Sequence, residues 1–203
     1  MATPRVRAAV LGLHWQVNVI RPEGFFGPML AAPVARSGVV RRAAGFHAGA
    51  LDAGVPVVFT RFTVPIGEGE LVRNTGFMRS VAAGQTDFRP GSPGAQTIPE
   101  MAGRYTVAFD NQKLSGLASS PAVEWLRERE IDTLFLTGVA TNLTVEQTAR
   151  HGTDLGFTVH VVTDCVTAAT PEAHAAALAN LELVTAGNIT AVVAQELLRR
   201  DAV

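Results

Sequence analysis

Thr133-Leu134-Phe135-Leu136-Thr137-Gly138-Val139-Ala140-Thr141-Asn142-Leu143-Thr144 is a strand running into a helix through a glycine. Thr133 to Thr137 is short, mostly apolar and bounded by Gly138, which predicts a buried strand. Gly138 supplies the bend, Thr141 or Asn142 can cap the following helix, and Thr144 then falls in its first turn. Unpaired backbone N–H groups and the helix dipole favour negative charge there, so the turn suits an oxyanion or a substrate carboxylate. The plainer alternative is an ordinary capped helix.

The same rhythm extends in both directions. Ala8 to Leu13, Val55 to Thr60, Tyr105 to Phe109, Thr158 to Thr163 and Ile189 to Val193 also read as buried strands. Val34 to Ala53, Pro121 to Glu130, Leu143 to Leu155 and Pro171 to Leu181 read as helices, and Ser120-Pro121 and Thr170-Pro171 each place a hydroxyl before a first-turn proline. Strands alternating with helices pair in parallel, because a parallel crossover needs a connecting element. The expected fold is therefore α/β: a three-layer α-β-α domain over residues 1–203 with a six-stranded, mostly parallel sheet. One segment breaks the pattern. Residues 62–103 carry Pro65, Gly67, Gly69, Gly76, Gly84, Pro90, Gly91, Pro93, Gly94 and Pro99, and so predict a long excursion after a strand, placed to cover a site.

Composition bounds the function. The 203 residues are 47% hydrophobic and 17% charged, enough apolar material for a core and too little charge for disorder. Seventeen basic residues nearly balance 18 acidic ones, which argues against a nucleic-acid or anionic-membrane partner. Cys165 is the sole cysteine, so an internal disulfide and a cysteine-cluster metal site are excluded. Met1 to Arg7 leads into no long apolar run, and nothing approaches the roughly 18 apolar residues of a membrane span. A soluble cytoplasmic protein that acts on a small molecule, with no cofactor or metal, is the expectation.

Open α/β sheets bind ligands beyond the carboxyl ends of their strands. Those ends carry His14-Trp15-Gln16, Thr60-Arg61, Asp110-Asn111, Thr137 to Thr144, and Asp164-Cys165. A shared sheet edge could bring His14, Asn111 and Thr144 together although they are far apart in sequence.

Leu134 to Glu146, with Thr148-Ala149-Arg150, resembles the nucleophile turn of the isochorismatase-like cysteine hydrolases. The likeness continues through Gly156-Phe157-Thr158-Val159 and Val162-Thr163-Asp164 into Pro171 to Leu178. Ala9 to Gln16 is similar to that family's first strand, and Gly94 to Glu100 to its loop before the third. The resemblance implies a parallel sheet flanked by helices, assembly as a homodimer or homotetramer, and a cis peptide at Val139-Ala140. It also implies an oxyanion site from the N–H groups of Ala140 and Thr144. The family's usual catalytic set is an aspartate, a lysine and a cysteine; matching motifs puts those roles on His14, Asn111 and Thr144. None of the usual identities is present. Lys113 lies two residues from the lysine position, but using it would break the match of Ser115-Gly116-Leu117. The nicotinamidase metal-binding histidine pair has no counterpart at Arg61-Phe62-Thr63.

Thr144 is an alcohol far harder to ionise than a thiol, and Asn111 brings no charge. An enzyme of this sequence would use His14 as a general acid or base, with Asn111 and Thr144 holding a developing anion. A Thr144 nucleophile activated by His14 and oriented by Asn111 is a weaker variant. The competing expectation is a non-catalytic binder that kept the cavity. Gln16 could hydrogen-bond across the site or brace His14. Trp15, Phe25, Phe26, Phe62 and Phe77 could form an aromatic wall or pack in the core. Arg61, Arg73 and Arg79 could clamp a substrate carboxylate or stand in solvent. Cys165 reads as a small packed residue, His47, His151 and His160 as structural or exposed, and His174 matches a family position that is not a catalytic one.

Overall fold

The computed structural model describes residues 7–200; the segment before Arg7, read above for its lack of an apolar run, lies outside them, as do residues 201–203. The strands are β1 (Ala8–Leu13), β2 (Val57–Phe62), β3 (Val107–Asn111), β4 (Thr133–Val139), β5 (Thr158–Thr167) and β6 (Asn188–Ile189). The helices are α1 (Val17–Ile20), α2 (Gly27–Ser37), α3 (Val39–Asp52), α4 (Gly76–Ala83), α5 (Ala122–Glu128), α6 (Glu146–Asp154), α7 (Pro171–Val184) and α8 (Ala191–Arg200). The sheet order is β3-β2-β1-β4-β5-β6, with every neighbouring pair parallel, so the sheet is wholly rather than mostly parallel.

Both faces are covered, which is why the central strands are continuous apolar runs rather than alternating ones. Val10, Val57, Phe135 and Val162 point to one face, where α2, α3 and α8 supply Leu30, Val34, Phe46 and Leu198. Ala9, Leu11, Leu13 and Leu136 point to the other, where α5, α6 and α7 supply Leu126, Ala149 and Leu181. The chain lays β2 and β3 on one side of β1 and β4 to β6 on the other. The order therefore reverses between β1 and β4, where a crevice forms beyond the strand ends.

Several boundaries differ from expectation, each for a physical reason. The single helix expected over Val34 to Ala53 is two helices, broken at Gly38, which adopts φ 66°. The strand expected over Ile189 to Val193 ends at Ile189, and α8 follows. Val192 and Val193 are exposed while Ala194 and Leu198 are buried, a helical rather than an alternating period. The strand expected over Tyr105 to Phe109 lies two residues later and ends on Asn111.

The excursion is structured. It contains α4 and three single-turn 3-10 helices at Gln85–Phe88, Pro93–Ala95 and Pro99–Met101. Its own apolar cluster is built from Phe62, Val64, Met78, Val81 and Phe88, with Phe25, Phe26 and Phe77 against it. Gln16 fastens this unit to the sheet. Its buried amide donates to Phe62 O at 3.0 Å and Ala95 O at 3.1 Å, and its carbonyl accepts from Phe62 N at 2.7 Å. Gln16→Ala would orphan three buried backbone groups at once, and a loss of about 2–4 kcal/mol in unfolding free energy is expected from denaturant titration.

On α3, the buried His47 shares a 2.8 Å hydrogen bond with Thr137 Oγ1 on β4. Burial, helped by the charge of Arg104, lowers its pKa from 6.5 to about 3. The unfolded chain thus binds a proton that the native one refuses, so this stability is present above pH 6.5 and is lost as pH falls towards 3. The melting temperature is expected to fall over that window, and less steeply in His47→Gln.

Candidate active site

β1 ends at Leu13, and the chain must leave the sheet at once to reach the Gln16 clamp. His14 makes that turn with a left-handed backbone, φ 54°, an uncommon conformation for a residue with a side chain. Its N–H donates to Thr60 O at 3.0 Å, which holds the turn against β2. The imidazole is 6% exposed and meets Phe62 edge-on, with centroids 6.3 Å apart. Its Nε2 is buried with no hydrogen-bond partner among the described residues. Burial alone lowers its pKa to about 4, so the ring is neutral at physiological pH.

β4 ends beside it, with Leu13 and Gly138 in register. A Cβ on Gly138 would lie 2.4 Å from Leu13 O, and its φ is 140°, so only glycine allows the two strand ends to come this close. The Val139–Ala140 peptide is cis, where the resemblance placed it. The expected helix from Leu143 opens instead as a π-turn over Thr141–Val145, with α6 proper starting at Glu146. Ala140 O accepts from the N–H groups of both Leu143 and Val145 at 3.2 Å. From α7, His174 Nδ1 fixes the turn through Thr141 Oγ1 at 2.9 Å.

A cavity lies over these two strand ends, with about 470 Å³ of empty space, its open mouth included. His14, Val139, Ala140, Leu143 and Thr144 line it from the sheet side, and Val19, Phe26, Met29 and Leu30 from the α1–α2 region. Phe62, Phe77 and Val81 close it from the excursion, and Leu114 from the loop after β3. His14 and Thr144 therefore share one hollow.

Asn111 does not join them in the lining. Its buried amide donates to Ser115 O at 2.6 Å and Ala118 O at 2.9 Å, folding the loop after β3. Thr144 Oγ1 donates to Leu114 O of that same loop at 2.6 Å. Thr148 Oγ1 accepts from Gly116 N at 3.0 Å, and His151 Nδ1 meets Ser115 Oγ at 3.0 Å. Asn111 and Thr144 thus meet through a backbone loop. The Thr144 proton lies on the Leu114 carbonyl, not on His14, so the imagined line of imidazole, alcohol and carboxamide is not the one observed.

Other expected site residues fall elsewhere. Gln16 is the clamp described above and has no free polar atom for a ligand. Arg61 pairs with Asp110 at 2.7 Å outside the lining, because alternate residues of β2 face opposite ways. Arg73 donates to Glu68 and Arg79 to Arg73 O, so no carboxylate clamp lines the cavity. Lys113 reaches Glu70 O at 2.5 Å, away from the hollow. Trp15 is core, edge-on to His47 at 6.1 Å, and Phe25 packs on Phe26 and Phe88 behind the wall. Of the aromatic set, Phe26, Phe62 and Phe77 line the cavity, the first and last stacked at 5.5 Å. Cys165 is fully buried, its thiol pushed up to about 12 mainly by burial. Among the described residues no three His, Cys, Asp or Glu side chains are placed to hold a metal. Val19, Met29, Leu30, Val81, Leu114 and Leu143 were not singled out from sequence, since an apolar side chain facing a hollow carries the same signal as one facing a core.

The fold is shared with solved proteins. A cysteine hydrolase from Pseudomonas syringae pv. phaseolicola superposes with a TM-score of 0.82 over 99% of this chain and 100% of that one, at 22% identity. A pyrazinamidase/nicotinamidase from Streptococcus mutans superposes with a TM-score of 0.70 over 90% and 99%, at 22% identity. In sequence, the ureidoacrylate amidohydrolase RutB of Methylobacterium radiotolerans is 39% identical over 77 residues, 37% of this chain and 30% of that protein. The nicotinamidase/pyrazinamidase of Mycobacterium tuberculosis is 29% identical over 109 residues, 46% of this chain and 59% of that protein. Each aligned stretch spans less than two thirds of the relative's own length. The model of the isochorismatase domain matches residues 8–193, nearly all of the described fold, and the chain belongs to the isochorismatase family.

Proposed function

We propose that this isochorismatase-family protein is an enzyme that transforms a small organic molecule by proton exchange at His14, with no thiol nucleophile. The observation that carries this is the imidazole itself: buried, neutral, and with an unpartnered Nε2 in the wall of a cavity at the sheet reversal. Leaving such a group unsatisfied is costly, and a substrate N–H or O–H is the partner that removes the penalty.

In this reading a substrate proton passes to the neutral ring as the bond change proceeds, and returns to the product from the imidazolium. A ring with a pKa of about 4 is a weak base, so the transfer suits a concerted step in which charge does not accumulate. Negative charge on the substrate would develop beside Ala140 and Thr144, where the backbone enters the π-turn and α6. Asn111 and Thr144 act by holding the loop after β3 in place. Hydrolysis is the reaction class that family membership favours, and lyase, isomerase or cyclase chemistry needs the same positioned base. Assembly as a homodimer or homotetramer and a place in the cytoplasm complete the proposal. One observation favours a second reading, a non-catalytic binder: the cavity wall holds no charged side chain, and the proton of Thr144 is already given to Leu114.

The test is turnover across a panel of small-molecule hydrolase and lyase substrates. On the substrate that the wild-type chain converts, His14→Gln should lower kcat by about 10²–10⁴-fold. Thr144→Val should lower it less, with melting temperature followed in parallel. Product formation unchanged in both variants ends the proposal; ligand-dependent thermal stabilisation with no product identifies the binder. Because the ring is already neutral, kcat/KM should be flat from about pH 5 to about pH 8 and fall only in acid, as the pH approaches about 4. An inflection near pH 6.5 would mean that the working imidazole is not this buried one.

Cys165 gives an independent check. Its thiol is buried and far from ionised at neutral pH, so N-ethylmaleimide should leave activity intact, as should Cys165→Ala. Loss of activity in a folded Cys165→Ala variant would overturn the site assignment.

A further inference from the structure

We infer that the cavity takes an uncharged, mostly apolar group whose polar end carries a hydrogen-bond donor, and that it turns carboxylates away. This rests on reading the cavity as the reaction site and adds the class of molecule that fills it.

Two observations carry the inference. First, His14 is the only titratable side chain in the lining, and Thr144 supplies the only other side-chain oxygen or nitrogen. The remaining wall is hydrocarbon or thioether, with the stacked Phe26 and Phe77 rings on one side and Leu30, Leu114 and Leu143 around the rest. The candidate guanidiniums are engaged elsewhere: Arg61 with Asp110, and Arg73 with Glu68. A carboxylate entering here would lose its water and gain no counter-charge, a penalty of about a hundredfold or more in Kd.

Second, the Thr144 hydroxyl gives its proton to Leu114 O at 2.6 Å, so its oxygen offers the cavity lone pairs only. A carboxylate is also all acceptor, and the two would repel. A hydroxyl on the ligand satisfies Thr144 Oγ1 as a donor, and it serves the neutral imidazole, whose buried Nε2 has no partner, in either tautomer.

No charged group contributes to the His14 pKa shift, which agrees with a neutral surround.

The experiment titrates the full chain, with 15N-labelled histidine, against benzyl alcohol, toluene and benzoate at about pH 7.5, following the His14 ring nitrogens. Benzyl alcohol is expected to shift the His14 signals with a Kd at least about tenfold lower than that of benzoate, and lower than that of toluene. Benzoate binding at His14 as tightly as the alcohol would overturn the inference while leaving proton exchange at His14 standing. Toluene binding as tightly as the alcohol would overturn the part concerning the donor, and no response of His14 to any of the three would overturn the whole. Proton exchange itself fails separately, on unchanged turnover in His14→Gln.

Discussion

Gly138 and Leu13 touch where the sheet reverses direction, and the site depends on that contact. A side chain at 138 would fall 2.4 Å from the Leu13 carbonyl, so the register of β1 against β4 can run to the last residue only because 138 is glycine. From this approach the rest follows. β1 must turn away at once, which forces His14 into a left-handed conformation, and β4 must pass through the Val139–Ala140 peptide into a widened turn. The imidazole and the head of α6 are thereby neighbours because two strands end side by side.

The surroundings of the two polar groups set their character. Burial without a charged neighbour keeps His14 neutral, and a short hydrogen bond to Leu114 leaves Thr144 an acceptor. The loop from Leu114 to Ala118 is fixed from β3 by Asn111, from the π-turn by Thr144, and from α6 by Thr148 and His151. These are four side chains from three elements holding one backbone loop, and that loop presents Leu114 to the cavity. The polarity of the region is thus mostly consumed in shaping the wall, which leaves the hollow itself apolar.

What the sequence disclosed and what it hid follow from the physics of each signal. Short apolar runs place five of the six strands, and a parallel sheet puts their carboxyl ends on one edge, so the sequence alone pairs His14 with Thr144. Periodicity does not fix where a helix breaks, so the left-handed stop at Gly38 leaves no signal in it, and two exposed valines mimic a strand at the start of α8. Polar residues at strand ends carried the least information. Asn111, Gln16 and Arg61 looked like ligand-facing groups, yet each satisfies backbone or a neighbouring charge, a destination that depends on which way a side chain leaves the strand and on loops far away in sequence. The hydrophobic lining was invisible for the opposite reason: its residues obey the same rule as the core.

The excursion has its own apolar cluster, separate from the two that sandwich the sheet, and Gln16 is one of several polar ties between them, beside Asn18 to Asp87 O and the N–H groups of Val17 and Ile98. Three walls of the hollow, Phe62, Phe77 and Val81, belong to this smaller unit. Local opening free energies track the apolar contacts that an element owns, so the smaller unit loosens at a lower free energy than the sheet. The hollow would then come apart on warming while the strands still hold, and the thermal limit of ligand recognition lies below that of the fold.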